Sequence, residues 1–427
     1  MKRLLYILLI ILPQMAFGQQ DTLSATESTS ISTDSVLVAD SLDAFFQRPD
    51  TLIVDSMPNS TLPLHQRLDS VVANSGLVET SQIGMMIYDL DADSVLYAYG
   101  EHQTLRPAST MKVITAISAL DRLGGSYQFK TVLKRTGEVV DSTRTLMGDV
   151  YIVGGMDPRL GRDDLAAFAE SLKKQGIDTI RGNLCMDRSM KNSDLLGEGW
   201  CWDDDNPVLS PLVYKRKNQL GEQFMDVLKK EGLIVTDSII NRKSPSDAKE
   251  ICMRSHSIDQ ILMRMMKESD NLYAESMFYN MAATKSKPAT AKVAADIEKA
   301  LIRKIGLIPE RYRIADGSGL SLYNYVTAEL EVMMLRYAYR NNNIFNHLYM
   351  TLPVAGEDGT LSKRMRGSCA AGNVHAKTGS VSGISSLAGY ATAPDGHRLA
   401  FCIINQGIMH SANARNFQNK VCIEITR

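Results

Sequence analysis

Arg106-Pro107-Ala108-Ser109-Thr110-Met111-Lys112 opens the stretch on which the fold turns, a run that continues to Leu123 and stops at Gly124-Gly125. Met111, Ile114, Ile117 and Leu120 recur three apart, with Val113 and Ala116 beside them, and this period predicts a helix with one buried face over 109–123. Ser109 and Lys112 then share a side of the helix. A serine hydroxyl is a weak nucleophile until a base takes its proton. A lysine is such a base only when burial or a nearby positive charge lowers its pKa. The S-x-x-K pattern alone carries no weight, because Ser171-Leu172-Lys173-Lys174 and Ser246-Asp247-Ala248-Lys249 repeat it.

Outward from this helix, Leu64–Ala73 has helical spacing, and two strand-like runs, 82–90 and 94–99, flank a turn at Asp91-Ala92-Asp93. The segment 129–153 is rich in Val, Thr and Tyr with turn signals at Gly137 and Gly148-Asp149, and 163–175 and 257–281 read as helices. Near the end, strands over 385–393 and 398–405 are joined by Pro394-Asp395-Gly396, and 413–424 reads as a closing helix. Strands at both ends with helices between predict an α+β fold whose N- and C-terminal segments complete one antiparallel sheet. Residues 131–254 alternate short strands and helices and read as an inserted α/β module, which leaves 63–130 and 255–427 as the main domain.

The 427 residues carry 47 Lys plus Arg against 48 Asp plus Glu, a formal charge of −1, so a nucleic-acid binder held by bulk positive charge is excluded. Lys2 and Arg3, an apolar run over 4–17 and Ala16-Phe17-Gly18 predict an export signal over 1–18. A retained anchor fits less well, since the run is shorter than the ~20 residues of a span and contains Pro13. Residues 19–62, rich in Ser, Thr and Asp, read as a flexible linker. The expected location is therefore exported and periplasmic. Six scattered cysteines allow fifteen pairings but read better as including several buried free thiols.

Two further motifs follow the helix. Ser269-Asp270-Asn271 offers a second hydroxyl for proton relay and an amide for a substrate carbonyl, though Ser411-Ala412-Asn413 imitates it. Lys377-Thr378-Gly379, with Ser380 after it, occurs once; a strand edge with a small glycine admits substrate backbone, and the two polar side chains suit a carboxylate. A second cation here is also expected to depress the Lys112 pKa. Taken in order, S-x-x-K, S-x-N and K-T-G resemble the set of penicillin-recognising serine enzymes. Together with Ala315-Asp316-Gly317-Ser318-Gly319-Leu320-Ser321 and Leu352-Pro353-Val354-Ala355-Gly356-Glu357-Asp358-Gly359-Thr360-Leu361, they resemble the D-alanyl-D-alanine carboxypeptidase/endopeptidase family (peptidase family S13) from about residue 64 onward.

The resemblance implies a penicillin-binding-protein/β-lactamase-like transpeptidase domain interrupted by the insert, acting on peptidoglycan peptides and acylated by β-lactams, without metal or organic cofactor. It makes Ser109 the nucleophile, Lys112 its base, and Ser269 and Asn271 the relay and amide. Lys377 and Thr378 bind the terminal carboxylate, beside Gly379, and the N–H groups of Ser109 and Ser380 form the oxyanion hole. Asp157, before Pro158, matches an insert residue implicated in side-chain recognition, although a plain turn explains it as well. Leu322 and Ser382 stand where relatives often have Arg and Gln. A β-lactamase or esterase on the same scaffold, or a non-catalytic wall-binding protein, are the other readings. Asp89, Asp91 and Asp93 lack the Gly and Glu of a calcium loop, His375 reads as structural, and Trp200 and Trp202 read as packing between insert and main domain.

Overall fold

The computed structural model describes residues 62–203 and 206–427. The expected export signal, and the expected linker apart from Leu62, lie outside the described residues. Helix α1 (Leu64–Ala73) leads to strands β1 (Gln82–Asp89) and β2 (Ser94–Tyr99). Their hairpin is shaped by Asp89, whose Oδ1 accepts the N–H groups of Asp91 (2.9 Å) and Ala92 (2.8 Å). A 3-10 turn over Ala108–Thr110 runs directly into α2 (Met111–Leu123).

Between α2 and the next long helices lie β3 (Gln128–Arg135), β4 (Glu138–Val140), β5 (Thr145–Met147), β6 (Val150–Val153), α3 (Arg162–Lys174), β7 (Thr179–Arg181), β8 (Leu184–Asp187), α4 (Leu220–Lys230), β9 (Ile234–Val235), β10 (Ile239–Asn241) and β11 (Lys249–Ser257). They form two sheets of their own, ordered β10-β8-β6-β3-β11 and β4-β5-β7-β9. These strands begin and end three residues outside the expected 131–254. Helices α5 (Ile258–Lys267), α6 (Asn271–Ala283), α7 (Ala291–Lys304), α8 (Ala328–Tyr339) and α9 (Asn342–Tyr349) follow, then β12 (His375–Val381), β13 (Ile384–Thr392), β14 (Arg398–Gln406) and α10 (Ser411–Thr426).

The main sheet runs β12-β13-β14-β1-β2. Antiparallel pairing of β1 with β14, from Gln82↔Gln406 to Asp89↔Leu399, joins the two ends of the chain as the sequence predicts. Successive residues of a strand face opposite sides. Met85, Ile87, Phe401 and Ile403 therefore pack against Leu68, Val72, Phe417 and Val421 of α1 and α10. Met86, Tyr88, Cys402 and Ile404 join the larger cluster containing Ile114, Leu330 and Leu335 of α2 and α8.

Two expectations change. Helix α2 is buried all round, with every residue from Met111 to Leu120 enclosed, because α6, α7, α8 and α9 pack around it as well as the turn before it. The run read as one helix over 257–281 is two helices, broken at Glu268–Asp270. Ser269 takes φ 60, and Asp270 caps α6 by accepting the Leu272 N–H at 3.0 Å. The break spans too few residues to interrupt the apolar period.

The segment 128–257 has its own apolar centre, including Leu133, Ile152, Phe168, Phe224 and Leu228. Met156, Met190, Trp200, Leu209 and Val213 instead belong to the cluster around α2 and α6. All six cysteines are free, with Cys185, Cys402 and Cys422 buried.

Candidate active site

The 3-10 turn brings Ser109 to the start of α2, and Lys112 lies one turn on, fully buried. Lys112 Nζ lies 2.9 Å from Ser109 Oγ, 2.7 Å from Asn271 Oδ1 and 2.7 Å from Ser318 O. The amide oxygen and the carbonyl can only accept hydrogen bonds. A neutral amine therefore gives its two hydrogens to them and turns its lone pair toward the Ser109 hydroxyl. Burial lowers the Lys112 pKa to about 8, against the opposing pull of Asp316, Glu275 and Asp270. The second cation contributes differently from the expectation. Burial first, and then the charge of Lys112, depress Lys377, so the repulsion between the amines falls on Lys377.

Lys377 Nζ donates to Ser269 Oγ at 2.8 Å and to Thr378 O at 2.6 Å. The left-handed conformation at Ser269 places its hydroxyl here, while Asn271, two residues on, reaches Lys112. One short break thus serves both amines. Thr378 Oγ1 is 2.8 Å from Thr360 Oγ1. Gly379 lies against the nucleophile turn: an added Cβ would overlap Ser386 Oγ and come within 2.9 Å of Ser109 N. Ser380 follows it on β12, the edge strand of the main sheet.

A buried acidic scaffold supports this cluster. Asp316 accepts the N–H groups of Gly319 (2.8 Å) and Ser321 (2.6 Å), Asn324 Nδ2 (2.7 Å) and Trp200 Nε1 (2.8 Å). Glu275 Oε1 accepts the Gly317 and Ser318 N–H groups at 3.1 and 2.8 Å and so aims the Ser318 carbonyl at Lys112. Burial, reinforced by Asp316, raises the Glu275 pKa to about 8. Sequence reasoning assigned Glu275 and Thr360 no role. The available signal for Glu275 was an acid in an apolar helix, one turn beyond Asn271.

Ser109, Lys112, Ser269, Asn271, Lys377, Thr378 and Gly379 are thus gathered together, and Asp157 is not among them. Its buried carboxylate is held by the Arg159 N–H (3.0 Å) and His256 Nδ1 (2.7 Å), which raises the His256 pKa. Leu322 is exposed, and its carbonyl accepts Arg106 Nε at 2.9 Å. Ser382 borders a cavity with Arg106, Gln82 and Gln406 beyond the end of β12. The decoy Ser171 bonds its own helix at Ala167 O (2.7 Å), and Lys174 pairs with Glu170. His375 stacks on Tyr349, with its pKa pushed down to about 4 by burial and by Lys267 and Arg398. Trp200 is buried between the segments, whereas Trp202 is 84% exposed. Among the described residues no group of three or more His, Cys, Asp or Glu side chains is gathered as a metal ion requires.

A serine and a buried amine at the head of a central helix, facing a K-T-G edge strand, define a serine peptidase of the penicillin-recognising class. Within that class the chain belongs to the D-Ala-D-Ala carboxypeptidase 3 (S13) family, whose model matches residues 64–213 and 206–425. D-alanyl-D-alanine carboxypeptidase DacB of Haemophilus influenzae is 26% identical over 80% of this chain and 88% of its own length. The D-alanyl-D-alanine carboxypeptidase of Actinomadura sp. (strain R39) is 28% identical over 82% of each chain. The crystal structure of penicillin binding protein 4 (dacB) from H. influenzae matches with a TM-score of 0.74 at 25% identity, covering 83% of this chain and 98% of that one, and a second structure of it is complexed with a β-lactam. The family resemblance and fold class expected from sequence are borne out.

Proposed function

We propose that the chain is an exported serine DD-peptidase that hydrolyses D-Ala-D-Ala ends or D-amino-acid cross-links of peptidoglycan through an acyl-enzyme on Ser109. The observation that carries this reading is the Lys112 amine, 2.9 Å from the Ser109 hydroxyl, with both hydrogens of its neutral form taken up by Asn271 and Ser318. Lys112 removes the Ser109 proton as the oxygen attacks the carbonyl carbon. The oxyanion forms against the Ser109 and Ser380 N–H groups, and one such donor is worth roughly 2.7–4 kcal/mol. The proton that Lys112 takes from Ser109 is returned through the Ser269 hydroxyl to the leaving amine, while Lys377 holds that hydroxyl in place at 2.8 Å. Lys377 and Thr378 hold the terminal carboxylate of the substrate. Water then hydrolyses the ester. Asp157 is left out of the binding set because His256 and the Arg159 amide occupy its carboxylate. We read 131–254 as the inserted domain and 1–18 as the export signal. Among the described residues no helix is long and apolar enough to cross a membrane.

β-Lactams should acylate the same serine. Intact-mass spectrometry after incubation with penicillin is expected to show one adduct on the wild type and none on Ser109→Ala; an adduct on the variant would refute the assignment. Incubation with purified muropeptides, followed by mass analysis of monomers and cross-linked dimers, then reads out the bond cleaved.

A further inference from the structure

Beneath the nucleophile turn lies a buried acid that the chemistry above does not use. Glu331, in the first turn of α8, is fully enclosed, and its Oε1 lies 2.6 Å from Thr110 Oγ1. The same hydroxyl lies 2.9 Å from Pro107 O, the carbonyl two residues before Ser109. Thr110 has one hydrogen to give. Against a carboxylate, both neighbours of that hydroxyl are acceptors, and one of the two contacts sets lone pairs against each other. Against a carboxylic acid the chain runs in one direction: the Glu331 O–H donates to Thr110 Oγ1, and the Thr110 O–H donates to Pro107 O. Glu331 Oε2 is buried with no nitrogen or oxygen partner, and apart from Thr110 only the weak S–H donor of Cys402 hydrogen-bonds the carboxyl, a position that costs far less on a neutral acid than on an anion.

We propose that Glu331 is kept as the neutral acid and is a positioning residue for acyl transfer, holding the Ser109 turn through Thr110 and the Pro107 carbonyl. That carbonyl also accepts Ser386 Oγ of β13 at 2.5 Å, so the relay ties α8, the turn and the main sheet at one atom. The titratable groups facing Glu331 are Lys377 on β12 and Cys402 on β14. Burial raises its carboxyl to about 7, against the lowering effect of Thr110, Cys402 and Lys377. Ionisation swings the Thr110 hydrogen onto the carboxylate and leaves the Pro107 carbonyl to Ser386 and the long Thr110 N–H contact (3.4 Å), so the turn loses one of its ties as pH rises through that value.

This inference rests on Ser109 being the acylated residue, and its test separates the two. Acylation by a fluorescent penicillin is followed from pH 6 to pH 8.5 in the full chain and in Glu331→Gln, Glu331→Ala and Thr110→Val. The Gln amide donates to Thr110 as the acid does. Glu331→Gln is therefore expected within about threefold of the wild type at pH 6, and its rate relative to wild type rises above pH 7. Glu331→Ala and Thr110→Val should each lose on the order of tenfold or more, and the double variant should lose no more than either alone. An infrared difference spectrum, wild type minus Glu331→Gln, should show a protonated-carboxyl band at pH 6 that fades with rising pH. A Glu331→Gln protein as slow as Glu331→Ala at pH 6, a pH-independent ratio, or absence of the band would each overturn the proposal. A penicillin adduct on Ser109→Ala would instead overturn the assignment of Ser109.

Discussion

At the residue scale, the base in this site is made by enclosure. Lys112 has no exposed surface, and desolvation disfavours its charged form more than the surrounding acids favour it. Attack requires the neutral amine, whose fraction rises as pH passes upward through a pKa of about 8. In Glu331→Gln, where no buried acid ionises beneath the turn, the acylation rate is accordingly expected to climb from pH 6, reach half its limit near pH 8 and level off about a unit higher, measured with a fluorescent penicillin. A midpoint near the ordinary lysine value of 10.5 would show that the amine stays solvated. Gly379 offers a steric test of the same geometry. In Gly379→Ala the new methyl meets Ser386 Oγ, Pro107 O and Ser109 N, so β12 must retreat from the turn. Acylation should fall by about a hundredfold, the scale of one lost oxyanion donor, with little change in thermal unfolding; full activity would mean that the strand has slack.

At the scale of elements, the site is assembled by interruptions. The 3-10 turn before α2, the left-handed Ser269 between α5 and α6, and the Asp316–Ser321 loop each present polar groups that a continuous helix would have satisfied internally. The periodic parts of the chain were legible: Leu64–Ala73 and Ser94–Tyr99 form at the limits read from sequence, and the sheet closes from both ends. The break at Ser269 was hidden because Ile258, Ile261, Leu262, Met265 and Met266 before it and the apolar residues of α6 after it both satisfy a helical period. Nor does any local pattern show that Glu275 and Ser318 meet, since their hydrogen bond spans 43 residues of sequence. Trp200 binds one such interruption to the segment between β3 and β11 through Asp316. Trp200→Phe keeps a smaller aromatic ring and removes the donor, leaving one oxygen of a buried carboxylate short of a partner. A loss of about 1–3 kcal/mol of stability is expected by chemical denaturation, and Trp200→Phe unfolding at the wild-type midpoint would show that the Asp316 loop holds without the indole.

At the scale of the whole molecule, the segment between β3 and β11 has the geometry of an appendage and the packing of a core element. The two strands pair along their length, from Lys249↔Arg135 to Ser257↔Gln128, so a short linker could close the chain and delete everything between them. Such a deletion keeps every group gathered around Ser109. It removes Met156, Met190, Trp200, Leu209 and Val213, which fill the same apolar cluster as α2 and α6. Large-to-small changes in a core cost about 2–5 kcal/mol each, and a domain is held by only about 5–15 kcal/mol in total. Five simultaneous losses therefore rival the whole stability, while Asp316 also loses its indole donor beneath the Lys112 pocket. The deleted protein is expected to lack a cooperative thermal transition and to take no penicillin label, even though Ser109, Lys112, Ser269, Asn271 and Lys377 are all present. A truncated chain that unfolds cooperatively and labels at the wild-type rate would show that the catalytic body stands alone and that the segment serves substrate recognition without supporting the fold.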